Sequence, residues 1–264
     1  MRDLQHYGPW ALITGASDGI GKALAEQIAA AGINVALVAR NEVRLRALAA
    51  DLEGRHGIET AVLAADLADS DAVALVETST SGLDVGLMVL AAGFGTAGTF
   101  LETSLADEMA LIAVNIAAVS RLSHTFAGRL AGRGRGGLVL FGSIVGWQGV
   151  PGQANYAASK AYVQSLAEGL HDELEPHGVD VLSVAPGPVA SGFGPRAGLA
   201  MTGATAPEVV ATATLTALGR RRTVIPGARG KFLTSALRPL PRRFRSLILG
   251  RVIAGMRARE TAAA

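Results

Sequence analysis

The stretch TGASDGIG (14–21) lies between an apolar run, WALIT (10–14), and a helical pattern, GKALAEQIAAAG (21–32). A glycine-rich turn joining a strand to a helix admits three chemistries. A nucleoside-triphosphate loop, G-x-x-x-x-G-K-[ST], needs Gly where Ala16 stands and a hydroxyl where Ala23 stands, so that reading fails. Gly15-Ala16-Ser17-Asp18-Gly19 fits the G-x-S-x-G nucleophile elbow, but too little chain precedes Ser17 to supply the strands that such an elbow follows. The third reading is a dinucleotide turn. Gly15, Gly19 and Gly21 let the backbone turn tightly and approach a pyrophosphate held at the helix N-terminus.

Outward from this turn the same alternation continues. Apolar runs at 34–39, 59–66, 85–93, 137–143, 179–187 and 223–226 read as strands, and helical patterns fall at 42–55, from about Asp69, across 103–127, across 155–175 and at 207–218. The strands are nearly continuous Val, Leu, Ile and Ala, which predicts a sheet covered on both faces. Strand–helix repetition predicts parallel pairing through right-handed crossovers. The expected fold is therefore α/β, a single-domain doubly wound parallel sheet of about seven strands over 1–228, with a basic helical extension over 229–264.

Composition narrows the function. Half of the 264 residues are hydrophobic, 17% are charged and 33 are Gly, as in a well-buried chain with many tight turns. The absence of Cys excludes disulfides, thiolate metal sites and Cys nucleophiles, and no metal site is expected. The N-terminus shows no charged-then-apolar leader, so a cytoplasmic location is expected. The longest charge-free run, 136–159, is interrupted throughout by Gly, Pro, Gln, Asn and Ser and does not read as a membrane span.

Ligands in doubly wound sheets sit at the carboxyl ends of the strands. Besides TGASDGIG, the segments AAGFG (91–95), Gly142-Ser143 and PGPVAS (186–191) all follow strands. One more motif stands out: in YAASK (156–160), Tyr156 and Lys160 share a helix face at i, i+4. An isolated pair of this kind is ordinarily a packed Tyr and a solvated Lys. Here Thr14-Gly15-x-x-x-Gly19-x-Gly21, Asp66-Leu67, Ala92-Gly93, Asn115, Ser143, Tyr156-x-x-x-Lys160 and Pro186-Gly187 occur together in order. On these residues the chain resembles the short-chain dehydrogenase/reductase family over roughly 8–228, with the opening segments most similar to NADPH-using 3-oxoacyl and 17β-hydroxysteroid reductases.

The resemblance implies a Rossmann fold and a carbonyl reductase acting on a hydrophobic ketone or 3-oxoacyl substrate. It implies Tyr156 as general acid/base, with Lys160 lowering the phenol's pKa and binding the nicotinamide ribose. Ser143 would hydrogen-bond the substrate carbonyl, and Asn115 would hold a water joining Lys160 to solvent. Gly15, Ser17, Asp18, Gly19, Ile20, Gly21, Asp66, Leu67, Ala92, Gly93, Tyr156, Lys160, Pro186, Gly187, Val189 and Ser191 would line the cofactor, with Ser191 meeting its carboxamide. NAD-preferring relatives end the second strand with an acid; Arg40 at that place suits a 2′-phosphate, so NADP(H) is expected over NAD(H). Ala91 departs from the family, which commonly carries Asn there, and the loop after the fourth strand is expected to be looser for it.

Phe94, Ile144, Trp147, Gln148, Gln153, Val189, Phe193 and a mobile-looking segment, 191–207, are candidate walls for the substrate. From Gly219 onward twelve Lys and Arg face Glu260 alone, mixed with Phe, Leu and Ile at near-helical spacing. Such a tail reads as a flap over the substrate site or a subunit neighbour, as a helix on an anionic membrane surface, or as a nucleic-acid patch; the last lacks any interleaved aromatic module. A homodimer or homotetramer is expected from the resemblance. The rival functions are an idle NADP(H)-binding sensor and a hydrolase using Ser17.

Overall fold

The computed structural model describes residues 3–263. The chain runs β1 (Trp10–Thr14), α1 (Gly19–Ala30), β2 (Asn34–Ala39), α2 (Glu42–His56), β3 (Thr60–Ala64), α3 (Ser70–Ser79) and β4 (Val85–Leu90). It continues through α4 (Leu105–Ile112), α5 (Val119–Arg133), β5 (Gly136–Phe141), α6 (Ala154–Leu174) and β6 (Val179–Val184). Last come α7 (Phe193–Ala197), α8 (Pro207–Ala217), β7 (Thr223–Val224), α9 (Ala228–Leu237) and α10 (Arg242–Ala263). The side chains of Arg259 and Glu260, counted in the basic tail, lie outside those described.

The seven strands form one sheet in the order β3-β2-β1-β4-β5-β6-β7, and every neighbouring pair is parallel. The order reverses between β1 and β4, where Thr14 pairs with Leu90, so the crevice above these two strand ends is the ligand position of a doubly wound sheet. Successive side chains alternate between faces: Ala11 and Ile13 join the apolar layer of α1, α2 and α8, while Leu12 joins that of α5 and α6. Two covered faces are why the strands carry uninterrupted apolar runs.

Three features depart from the sequence reading. The helix expected across 103–127 extends from Leu105 to Arg133 and contains a π-turn at Ala113–Ala118. The segment expected to be mobile holds α7, and the last strand is two residues rather than four. The basic tail becomes α9 and α10, whose Leu237, Leu249 and Ile253 are buried in the α5–α6 layer. On the same two helices Phe232, Phe244, Leu247 and Val252 are exposed. Among the described residues no helix is long and apolar enough to cross a membrane.

Leu12 is fully buried in a central strand, so Leu12→Ala leaves a cavity in the α5–α6 layer. We expect a loss of about 2–5 kcal/mol in unfolding free energy by urea denaturation, with an unchanged m-value.

Candidate active site

The backbone at the switch point leaves no room for side chains. A Cβ on Gly15 would lie 3.0 Å from both N and Cα of Ala92, and Gly15 has φ +69°. A Cβ on Gly21 would run into the Gly15 carbonyl oxygen. The turn therefore folds onto itself and presents main chain, rather than side chains, to the crevice. Thr14 fastens it to β4: its hydroxyl donates to Val89 O at 3.4 Å and accepts from Ala92 N at 3.0 Å. The loop carrying Ala91 is thus held to β1 by Thr14 through the N–H of Ala92.

From this floor rises a cavity of about 590 Å³. All the expected cofactor residues line it, from Gly15 to Ser191, together with Ser143, Tyr156 and Lys160. Of the expected wall residues Phe94, Ile144, Gln153, Val189 and Phe193 line it, whereas Trp147 and Gln148 line a neighbouring cavity. Leu233, Leu249, Ile253 and Met256 complete it from α9 and α10. None of these four was singled out from the sequence. Their signal was there: 249, 253 and 256 follow helical spacing in the tail.

Tyr156 occupies the first turn of α6, and Lys160 follows one turn later; both are buried. Lys160 Nζ donates to Phe141 O at 2.8 Å and stands 5.7 Å from the Tyr156 ring centre. Burial lowers its pKa from 10.5 to about 8. Burial pushes the Tyr156 phenol up, and a hydrogen bond with Ser143 opposes it more weakly. Desolvation sets the net direction for both groups, and the phenol stays protonated at neutral pH. Ser143 itself is loosely held, its Oγ 3.4 Å from Pro186 O and 3.4 Å from Val145 N.

Asn115 lies in the π-turn, fully buried, and does not line the cavity. Its Oδ1 accepts from Phe94 N at 3.2 Å, and its Nδ2 donates to Phe94 O at 2.9 Å and to Ser159 Oγ at 3.2 Å. Both amide hydrogens are thus committed to protein, and the side chain fixes the loop after β4. Gly93 fits between them: a Cβ there would stand 3.0 Å from Asn115 Oδ1 and 3.3 Å from Lys160 Nζ. Ser191 is likewise engaged locally, accepting from Phe193 N at 3.3 Å. Its neighbour Gly192 donates its N–H to Asp18 Oδ2 at 2.8 Å, tying the segment before α7 to the glycine turn.

At the mouth of the turn Arg40 is half-exposed, 3.9 Å from a half-exposed Asp66. So open a pairing is weak, and it leaves the guanidinium available to an anion. Arg196 stacks on Phe94, 4.2 Å from the ring centre. Among the described residues no His lines the cavity, so the Ser–His pair of a nucleophile elbow is not found at Ser17. The donors present fit a dinucleotide instead: a main-chain cradle too tight for a Cβ, a helix N-terminus, and a cation where the second strand ends.

The family model for short chain dehydrogenase matches residues 9–198. A 7β-hydroxysteroid dehydrogenase from Collinsella aerofaciens is 33% identical over 234 residues, covering 86% of this chain and 89% of the relative. A solved structure from work on 7β-hydroxysteroid dehydrogenase stereoselectivity superposes with a TM-score of 0.86 at 31% identity, covering 95% of this chain and 100% of the other. A short-chain dehydrogenase from Sphingobium yanoikuyae in complex with NADPH has a TM-score of 0.78 at 34% identity, with 88% and 94% covered.

The low pKa of Lys160 has a consequence for stability. Between pH 8 and 10.5 the unfolded chain keeps this proton while the folded chain has released it, so unfolding free energy gains from Lys160 as pH rises through that window. Lys160→Met lacks the gain. The stability difference between the two proteins, followed by chemical denaturation across the window, is expected to move in favour of the wild type with rising pH.

Proposed function

Because this chain belongs to the short-chain dehydrogenase family and is an NAD(P)-dependent oxidoreductase acting on CH–OH or C=O groups, we propose that it is an NADPH-dependent reductase of bulky apolar ketones with Tyr156 as its general acid. The observation that carries this reading is one cavity that brings Ser143, Tyr156 and Lys160 together beside the glycine cradle and under an apolar roof.

The nicotinamide cofactor supplies hydride when bound; the chain supplies position and a proton. Gly15, Gly19 and Gly21 bring main-chain N–H groups to the pyrophosphate position, and Arg40 meets the 2′-phosphate by charge and paired hydrogen bonds. Ser143 orients the substrate carbonyl towards Tyr156. Tyr156 gives its phenolic proton to the carbonyl oxygen as that oxygen becomes an alkoxide. Lys160, buried and one helical turn away, offers the nearest charge to steady the phenolate that remains. Leu233, Leu249, Ile253 and Met256 exclude water from the transfer and select apolar bodies. The Sphingobium relative's complex with NADPH and the hydroxysteroid relative support both halves of the reading.

Tyr156→Phe is expected to lower kcat by about 10²–10⁴-fold on a bulky ketone while NADPH affinity is kept. An NADP(H)-binding sensor would instead bind NADPH and never oxidise it with the wild-type chain. In fluorescence titrations Arg40→Ala is expected to weaken NADPH by at least about tenfold and leave NADH nearly unchanged, since only the former carries the 2′-phosphate. Equal loss for both nucleotides would refute Arg40 as the discriminating residue.

A further inference from the structure

A second cavity of about 400 Å³ adjoins the first. Ile144 and Trp147, in the turn after Ser143, wall it on one side, and α9 and α10 wall it on the other. Ile144, Leu233 and Leu249 line both cavities. The second cavity differs in its polar lining: Thr234, Arg238 and Arg245 face it, and no acidic residue among those described does. Arg245 Nε and Thr234 Oγ1 are buried without any hydrogen-bond partner. Among the described residues neither Arg238 nor Arg245 has an ion pair.

A buried N–H without an acceptor is costly, and native proteins rarely keep one. Two unpartnered donors, an N–H and a hydroxyl, on residues that line one cavity, joined there by a second guanidinium, call for an acceptor carrying negative charge. Guanidinium geometry matches the planar pair of oxygens of a carboxylate. The cofactor's phosphates are provided for elsewhere, by the glycine cradle and Arg40.

We propose that the second cavity receives a carboxylate borne by the substrate, held by Arg245 and Thr234 with Arg238 adding charge. The substrates are then apolar ketones carrying an acid at the end of an apolar arm, not neutral ketones. This rests on the first cavity being the place of ketone reduction.

The test uses 5-benzoylpentanoate and its methyl ester, which share a ketone and differ in charge. Binding to the NADPH-loaded protein is measured by calorimetry, and turnover by NADPH oxidation. The acid is expected to bind at least about tenfold more tightly than the ester. Arg245→Met should abolish that preference by raising the acid's KM with kcat kept, while the ester and NADPH are unaffected. Thr234→Val, nearly isosteric, should weaken the acid alone and to a smaller degree. Equal binding of acid and ester by the wild type, or a parallel loss of both in Arg245→Met, would overturn the proposal. A charge preference in binding without any turnover would uphold the site and count against the reductase reading. Turnover of both compounds without a preference would do the reverse.

Discussion

At the carboxyl ends of β1 and β4 main chain meets main chain, and every other part of the site is measured from that contact. Gly15 lies against Ala92, and Gly21 against the Gly15 carbonyl, at separations that no side chain permits. Thr14 locks the meeting with one hydroxyl that donates to β4 and accepts from the loop beyond it. The loop so fixed carries Gly93 and Phe94, and Asn115 bonds both polar main-chain groups of Phe94. Gly93 in turn leaves the gap into which Lys160 reaches. The glycine turn and Lys160 are thereby held in fixed relation by a run of short contacts.

The two central titratable groups show how burial shapes chemistry. Withdrawn from water, the phenol resists ionising and the ammonium resists staying charged. Each shift disfavours the charged form, and a single hydrogen bond from Lys160 to Phe141 O is the main protein contact for that charge. A phenol that remains protonated suits the proposed delivery of a proton to a carbonyl oxygen. The π-turn around Asn115 fits the same picture, because helices carry such local widening most often at functional positions.

The carboxyl-terminal helices give the site its character. Without α9 and α10 the cavity would open above Tyr156; with them it gains an apolar roof and a neighbour lined by two guanidinium groups. A tail whose composition reads only as basic and amphipathic thus divides its Arg residues by position. Arg257 pairs with Glu102 and Arg229 bonds Gly203 O, while Arg238 and Arg245 face a cavity.

Much of this was legible in the sequence by itself. Uninterrupted apolar strands between helical patterns determined a parallel sheet covered on both faces, because a strand needs such residues only when neither face meets water. Glycines at 15, 19 and 21 determined the nucleotide turn, and the i, i+4 spacing of Tyr156 and Lys160 placed them on one helix face. Contacts between distant segments were decided by the tertiary structure alone. Whether Lys160 lowers the phenol depends on where its Nζ finds an acceptor, and that acceptor comes from β5. The partners of Asn115 could not be read from the sequence either, because its hydrogen bonds reach residues 21 and 44 positions away. The roof of the cavity likewise depends on how a tail folds back over a sheet formed by the rest of the chain: its helical spacing gives an apolar face, and a flap over the site is one of three readings, but only long-range packing chooses among them.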